Sequence, residues 1–281
     1  MLNIGFIGCG GIARNHASRL THIRGAGIAA ARTGKHVFCE KPMALTIAAA
    51  RRMKKACDEH GVRLTIGFVR RFDAQWGKLK QIVQSGALGT PVIWRFAAGG
   101  RPANPWFRDE TKGGGPLMDG AIHNYDYALQ IFGPAASVQA SSLQFDGTSV
   151  GADTASAIIN FKSGDQHSLI WSWGVAAGAQ VVSLNDVIGP LGSLQFGMTA
   201  QRAPKSFDPK KHGAFTLKAA HGREKVYPFP HRDMFSEQLK HVVRAFAKNE
   251  QPLVNGQDGI DALAIASAVL KSGKSRRTVK I

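Results

Sequence analysis

Residues 2–13 read LNIGFIGCGGIA and decide the fold class of the first part of the chain. The apolar run 2–7 is followed by Gly8, Gly10 and Ala13 in the spacing G-x-G-x-x-A, and a helical pattern starts directly after them. A strand, a tight glycine turn and a helix in this order are typical of a dinucleotide-binding βαβ unit. The first glycine permits the turn, the second lets the backbone approach a pyrophosphate, and the helix N-terminus favours the anion. The sequence therefore predicts a nucleotide-binding turn here; the alternative is a glycine turn that only joins a strand to a helix.

Strand and helix patterns alternate as far as residue 68. Residues 36–39 read as a buried strand that ends at Glu40-Lys41-Pro42, residues 46–60 as a helix stopped by Gly61, and residues 62–68 as another strand. This alternation favours a parallel α/β sheet. Ligands bind at the carboxyl ends of strands in such sheets, and a lysine there can polarise a substrate oxygen. Lys41 is therefore a candidate site residue, with a solvated surface pair as the alternative.

The pattern changes near Gly89-Thr90-Pro91. Beyond this point, alternating apolar runs joined by tight turns predict an antiparallel sheet, with strands at 92–96, 137–145, 155–161 and 167–173. Helices are predicted at about 117–132, 232–248 and 256–272. We therefore expect an α/β plus α+β chain. A dinucleotide-type domain occupies residues 1–90, and an α+β domain with an open, mainly antiparallel sheet occupies 91–281, its last helices placed where they can pack back on the first domain.

Composition limits the class of protein. A chain of 281 residues with 44% hydrophobic and 20% charged content can bury a core, and its net charge of +17 attracts anions of many kinds without choosing among them. Cys9, Cys39 and Cys57 are odd in number and form no CxxC pair, which argues against disulfides and zinc and for a reducing compartment, so we expect the cytoplasm. No apolar run approaches the roughly 18 to 20 residues of a membrane span, and the start lacks the basic region of a secretion signal.

Residues 113–126 read GGGPLMDGAIHNYD and carry the candidates for proton transfer. Asp119 and His123 are four apart in a predicted helix, so we expect them on one face, with Asp126 three residues further on. A carboxylate beside an imidazole fixes its tautomer and raises its basicity, which suits a general base near pH 7. A metal site is not favoured, because no second histidine or cysteine lies nearby in the sequence. Ordinary polar residues on a helix are the alternative.

Taken together, these motifs resemble one family. The chain resembles the glucose-fructose oxidoreductase, inositol dehydrogenase and MocA-type (Gfo/Idh/MocA) family over nearly its whole length. The residues that carry the resemblance stand in the family's order: Gly8-x-Gly10-x-x-Ala13, GKHVFCEKP at 34–42, GFVRRFD at 67–73, Asp119-x-x-x-His123-x-x-Asp126 and NGQDG at 255–259. The combination is specific for the family and poorly specific for a substrate.

The resemblance implies a Rossmann domain followed by an open sheet that forms the substrate site and often an oligomer interface. Family members mostly pass hydride between NAD or NADP and a hydroxyl or carbonyl of a sugar, cyclitol or related polyol. By resemblance, His123 is the acid/base, Lys41 assists the proton transfer and holds the reacting oxygen, and Asp119 orients His123 or the substrate. The cofactor-binding residues implied in the same way are Gly8, Gly10, Gly11, Ile12, Ala13, Glu40 and Lys41. The expected partners are a small polyol or sugar and further copies of the chain in a dimer or tetramer, without membrane or nucleic acid.

The chain departs from the family pattern between Gly8 and Lys41. Only 33 positions separate them, whereas a Rossmann domain places at least two further βαβ crossovers there, each of about 30 residues or more. The acidic residue that holds the ribose hydroxyls about 20 positions after the glycines is absent, since the first Asp or Glu is Glu40. One interpretation of Arg32 is that it contacts the 2′-phosphate of NADP. The favoured interpretation is that Arg32 is an exposed residue of a helix. The sequence thus predicts a shortened Rossmann-like domain with an internal deletion whose join lies near residues 27–31.

Two functions therefore stay open at this point. Retention of Lys41, Asp119 and His123 favours an NAD(P)-dependent oxidoreductase. The missing ribose acid and the shortened sheet favour a degenerate, non-catalytic family member, or an internally truncated chain, that acts only as a binding or oligomer subunit. Nucleic-acid binding rests on the net charge alone, because none of the usual recognition modules is present.

Overall fold

The computed structural model describes residues 2–4, 26–28, 35–102, 104–197 and 207–281. The glycine-rich turn at 8–13 and Arg32 lie outside the described residues, as does most of the predicted join. The chain divides into two compact units, one of residues 1–74 and 232–260 and one of residues 75–231 and 261–281. The domain limits of 1–90 and 91–281 stay a prediction.

The first unit contains short parallel strand pairs. Strand β1 (Leu2–Ile4) pairs with β2 (Ala26–Ile28), and β3 (Val37–Cys39) pairs with β4 (Leu64–Ile66). Helix α1 (Ile47–Glu59) connects β3 to β4, which gives the predicted parallel βαβ crossover. Strand β4 is shorter than the predicted 62–68, because the N–H groups of Phe68 and Val69 turn back to carbonyls two residues earlier.

Helix α1 begins and ends within one residue of the predicted bounds. The Thr46 hydroxyl accepts the N–H of Ala49 at 3.2 Å, and Gly61 follows the helix with φ +64°, a conformation that glycine adopts at little cost. Helix α1 buries Ala50 and Cys57 and exposes Ala56. Seven residues make nearly two full turns, so Cys57 returns to the face of Ala50.

Two later segments complete the first unit. Helix α4 (Met234–Ala247) packs against the single 3₁₀ turn Val69–Phe72, and helix α5 (Gly256–Ser275) starts in this unit. The guanidinium of Arg71, which is buried, pairs with Asp258 at 3.0 Å. These contacts tie the segment after β4 to the start of α5.

The second unit is built on one large sheet with helices α2 (Ala74–Gln84) and α3 (Ile122–Phe132). Its strands among the described residues are β5 (Ile93–Gly99), β6 (Ala135–Leu143), β7 (Thr154–Phe161), β8 (Gln166–Ser172), β9 (Leu184–Gly189), β10 (Gly192–Phe196), β11 (His212–Ala219), β12 (Glu224–Pro230) and β13 (Val279–Lys280). Their order is β12-β11-β10-β9-β5-β8-β7-β6-β13, and every pair is antiparallel except β5 with β8. The predicted fold class is confirmed.

The two faces of the large sheet differ. On one face, Trp94 of β5 is fully buried. Its ring centroid lies 4.1 Å from that of His167 of β8, on which it stacks, and 5.6 Å from that of Trp76 of α2. On the other face, Ile158, Ile170 and Leu184 are each at least 40% exposed. The sheet therefore packs its core on one side and is open on the other.

The predicted helix over 117–132 is two elements in the structure. Residues Pro116–Gly120 form a π-helical turn, and α3 starts only after Ala121. The N–H of Ala121 bonds to the carbonyl of Pro116, five residues back, at 2.9 Å. Helices α4 and α5 agree with the predictions at 232–248 and 256–272. No helix among the described residues is long and apolar enough to cross a membrane.

Candidate active site

The first group of candidate residues follows strand β3 directly. Glu40 and Lys41 are half-buried at its carboxyl end, and the Lys41–Pro42 peptide bond is cis. The Glu40 carboxylate accepts the N–H of Lys41 at 3.2 Å and lies over Gly67, where an added Cβ would come within 2.8 Å of Oε2. This close approach needs a residue without a side chain at position 67.

Cys39 is the last residue of β3, and its side chain is a protonated thiol. Its Sγ donates to the carbonyl of Glu40 at 3.3 Å. Burial raises its pKa to about 11, and the nearby Glu40 and Cys57 act in the same direction. A thiol that stays protonated near neutral pH is a poor nucleophile, so Cys39 is a packing residue beside the strand end.

The second group lies on the turn and helix that follow Gly115. Asp119 is buried within the π-helical turn, and His123 is the second residue of α3 and half-buried. Asp126 is buried one turn further along α3. The expectation that Asp119 and His123 share a face assumed one continuous α-helix, whereas a π-helical turn ends between them in the structure, and their shared face stays a prediction. His123 and Asp126 do lie on the same helix, three residues apart, as predicted.

Aromatic residues that sequence reasoning missed pack against this turn. An added Cβ at Gly120 would come within 2.6 Å of Trp171 Nε1 and 2.7 Å of Trp173 Cζ2. Trp171 stacks on Phe96 with ring centroids 5.7 Å apart, and Trp173 meets Phe107 edge-on at 6.2 Å. The alternation W-S-W at 171–173 carried a signal for this placement, since residues two apart in a strand point to the same face.

An acidic residue with two arginines lies in the loops next to these aromatics. Asp146 accepts the N–H and the hydroxyl of Thr148, pairs with Arg101 at 2.7 Å and also pairs with Arg108, which is buried. The bonds from Thr148, followed by the charges of Arg101 and Arg108, hold the pKa of Asp146 below its ordinary value. In the part of the chain that the structure describes, no group of three or more His, Cys, Asp or Glu residues could hold a metal ion.

Comparisons with known proteins place the chain in a family. Residues 25–68 match the model "Oxidoreductase family, NAD-binding Rossmann fold", and residues 76–195 match the model "GFO/IDH/MocA C-terminal domain". Myo-inositol 2-dehydrogenase of Thermotoga maritima is 31% identical over 261 residues, which cover 90% of this chain and 75% of that protein. The chain belongs to the Gfo/Idh/MocA oxidoreductase family. The predicted family and the predicted class of nicotinamide cofactor are confirmed at this level.

Other members of the Gfo/Idh/MocA family are similar over most of the chain. The 1,5-anhydro-D-fructose reductase of Ensifer adhaerens is 28% identical, over 90% of this chain and 75% of that protein. The crystal structure of aldose-aldose oxidoreductase from Caulobacter crescentus, complexed with glycerol, is 28% identical with a TM-score of 0.72, over 88% of this chain and 72% of that one. None of these comparisons tests the roles of individual residues, which stay predictions.

Proposed function

We propose that this chain is an NAD(P)-dependent oxidoreductase that transfers hydride between the nicotinamide and a hydroxyl or carbonyl of a sugar, cyclitol or related polyol. The observation that carries the proposal is the half-buried imidazole of His123, which follows directly on the buried turn of Asp119. It stands in a chain 31% identical to a myo-inositol 2-dehydrogenase. An imidazole at the edge of a buried region is partly desolvated yet can still meet a substrate hydroxyl.

His123 is proposed as the acid/base. Oxidation of a carbinol requires that its hydroxyl lose a proton, and imidazole accepts one near neutral pH. Asp119 is proposed to orient His123 or the substrate. Lys41 is proposed to assist the proton transfer and hold the reacting oxygen, since an ammonium group stabilises the negative charge that develops on it.

The residues described at the end of β3 fit a bound nicotinamide nucleotide. The Glu40 carboxylate is an acceptor that lies against Gly67, and Lys41 next to it is a donor, both at the strand end where ligands bind in parallel sheets. When bound, NAD or NADP supplies the hydride acceptor or donor. The glycine-rich turn at 8–13 is proposed to hold its pyrophosphate.

We also propose that the chain forms a homo-oligomer through the open face of the large sheet. Ala97 of β5 stands in register between Ile170 of β8 and Leu184 of β9, so these apolar residues form a row on the exposed side. Exposed apolar patches of this kind mark interaction sites. The cytoplasm stays the proposed compartment, supported by the absence of a disulfide pattern among the three cysteines.

The second candidate function is a non-catalytic subunit or an internally truncated chain. The match to the NAD-binding model spans residues 25–68 and does not include the glycine-rich turn at 8–13. An internal deletion between the glycine-rich turn and the rest of the nucleotide-binding domain would leave the turn outside the match. In that case Lys41, Asp119 and His123 are remnants of an active ancestor.

Titration calorimetry with NADH and with NADPH distinguishes the two functions. Micromolar binding of either cofactor, followed by reduction of NAD or NADP with a cyclitol or sugar, supports the oxidoreductase. His123→Ala should then abolish turnover and leave the thermal midpoint unchanged, whereas His221→Asn, at a position with positive φ that asparagine tolerates, should leave both unchanged. Absence of binding for both cofactors supports the non-catalytic function, and full turnover of His123→Ala rules out the assigned acid/base.

A further inference from the structure

Four half-buried aromatic side chains form two contacting pairs in the second unit, and the four together are here called the aromatic wall. It consists of Phe96, Phe107, Trp171 and Trp173. Phe96 and Trp171 are stacked with their planes only 10° apart, and Phe107 contacts Trp173 edge-on. Each side chain keeps part of its surface open to solvent, unlike Trp94 in the same sheet, which is fully buried and donates to Asn185 at 2.8 Å.

The aromatic wall is fixed against the turn that carries Asp119. The two indoles approach Gly120 so closely that a methyl group there would overlap both of them. Gly120 is the residue after Asp119 and stands three residues before His123. The wall therefore borders the segment that carries His123, the proposed acid/base, and Asp119, which is proposed to orient His123 or the substrate.

The backbone that carries Trp173 is anchored by a buried polar network. The N–H of Trp173 donates to the carbonyl of Asp153 at 2.8 Å. The Asp153 carboxylate, itself fully buried, accepts the N–H groups of Phe145 and Asp146 at 2.8 Å each. These bonds stabilise the backbone at the end of β8, from which both tryptophans project.

Packing alone does not account for an indole at position 171. Its Nε1–H is buried and has no hydrogen-bond partner in the described part of the chain. A buried donor without an acceptor is unfavourable, and a phenylalanine would stack on Phe96 without that penalty. Compared with phenylalanine, the indole provides a larger aromatic surface.

We propose that the aromatic wall binds the C–H face of a ring-shaped polyol and makes the site selective for cyclic over open-chain substrates. The inference rests on the proposed function, whose substrate class it narrows. Aromatic rings offer flat apolar surfaces, and only a ring-shaped polyol presents several C–H groups in one plane to meet them. The hydroxyls at the rim of such a ring stay available to polar groups such as His123.

Steady-state kinetics with myo-inositol and with D-mannitol test the proposal in the holoenzyme. Trp173→Leu removes the aromatic ring of Trp173 from the wall, and Trp173→Phe keeps a smaller ring at that position. We expect the KM for myo-inositol to rise about five- to tenfold in Trp173→Leu and less in Trp173→Phe, with kcat within about twofold. The matched control is Trp76→Phe, because Trp76 is a tryptophan buried in the core and is not one of the four wall residues. Thermal midpoints check that each variant is folded.

An unchanged KM for myo-inositol in Trp173→Leu overturns the proposal, as does an equal rise for myo-inositol and D-mannitol. If the unmodified chain turns over no polyol, the proposed function fails, and tryptophan fluorescence then decides the inference separately. A fluorescence change on addition of myo-inositol without cofactor, lost in Trp173→Leu and retained in Trp76→Phe, supports the wall as a ring-binding surface. No fluorescence change overturns it.

Discussion

The carboxylate of Glu40 lies over the backbone of Gly67, across the parallel strand pair of β3 and β4. A Cβ at position 67 would come within 2.8 Å of Glu40 Oε2 and 3.0 Å of its Cδ. The same Oε2 accepts the N–H of Lys41. The Glu40 carboxylate therefore occupies space that a side chain at position 67 would take.

Gly67→Ala should weaken NADH binding by about the same factor as Glu40→Gln. The methyl group displaces the end of a flexible side chain, so we expect little change in the thermal midpoint. Loss of one hydrogen bond to a charged group corresponds to roughly 10- to 100-fold in Kd. Titration calorimetry measures the affinity of each variant.

The double variant Gly67→Ala with Glu40→Gln tests whether the two changes act through one carboxylate. Changes that act through the same group are not additive, so the double variant should bind no more weakly than either single one. Gly77→Ala is the control, because it lies in α2 with nothing within 4 Å of its added Cβ. Additive losses, or an equal loss in the control, would contradict the prediction.

Asp146 gives a pH-dependent contribution to stability. Its folded pKa is held below the ordinary value of 3.8, first by the bonds from Thr148 and then by Arg101 and Arg108. A group with a depressed folded pKa stabilises the fold above its unfolded pKa and loses that contribution as the pH falls through the folded pKa. We expect Asp146→Asn to lower the free energy of unfolding at pH 7, with a difference from the unmodified chain that shrinks below about pH 4. Urea unfolding between pH 3 and 7 measures this, and a difference constant over that range would refute it.

Local sequence patterns were sufficient where local contacts determine the structure. The polar pair Glu40 and Lys41 follows an apolar run, and the structure places both at the end of β3, a strand that is half-buried and not buried as predicted. Helix α2 could also have been predicted, since its buried residues follow helical spacing: Trp76, Leu79, Ile82 and Val83.

Long-range contacts explain what the sequence did not predict. The π-helical turn at Asp119 packs against Trp171 and Trp173, which are about 50 positions away in sequence, and no local signal marks it. Strand β11 has four consecutive buried residues, 214–217, so it lacks the alternation by which a strand is recognised. Strand β12 contains Pro228 and Pro230, which argue against a central strand but are tolerated at the sheet edge where β12 lies.

Cys39 should resist alkylation in the folded protein. Its pKa of about 11 lies two units above the ordinary value of 9.0, so the thiolate fraction at pH 8 is about 100-fold lower than that of a free thiol. We expect iodoacetamide to label Cys39 at least that much more slowly than it labels the unfolded chain in guanidinium. Peptide mass spectrometry identifies the labelled residue, and equal rates in the two states would show that Cys39 is accessible and ionised.

Ser272 joins the end of helix α5 to the sheet. Its hydroxyl accepts the N–H of Ala140 in β6 and donates to the carbonyl of Arg277, both at 2.8 Å. The residue is 1% exposed. Removal of the Ser272 hydroxyl therefore leaves the backbone N–H of Ala140 without this acceptor.

Ser272→Ala should therefore lower the free energy of unfolding by about 1–3 kcal/mol, the usual cost of a buried group left unsatisfied. Ser275→Ala is the matched control, since Ser275 is exposed and accepts only a longer bond of 3.3 Å from Arg277. The free energy of unfolding of Ser275→Ala should fall by no more than about 0.5 kcal/mol, as for most surface changes. Urea unfolding of the three proteins compares them directly. Equal losses in the two variants would mean that the helix end is held by something other than the Ser272 hydroxyl, and the packing of Gly273 against Ser142 would then be the contact to test.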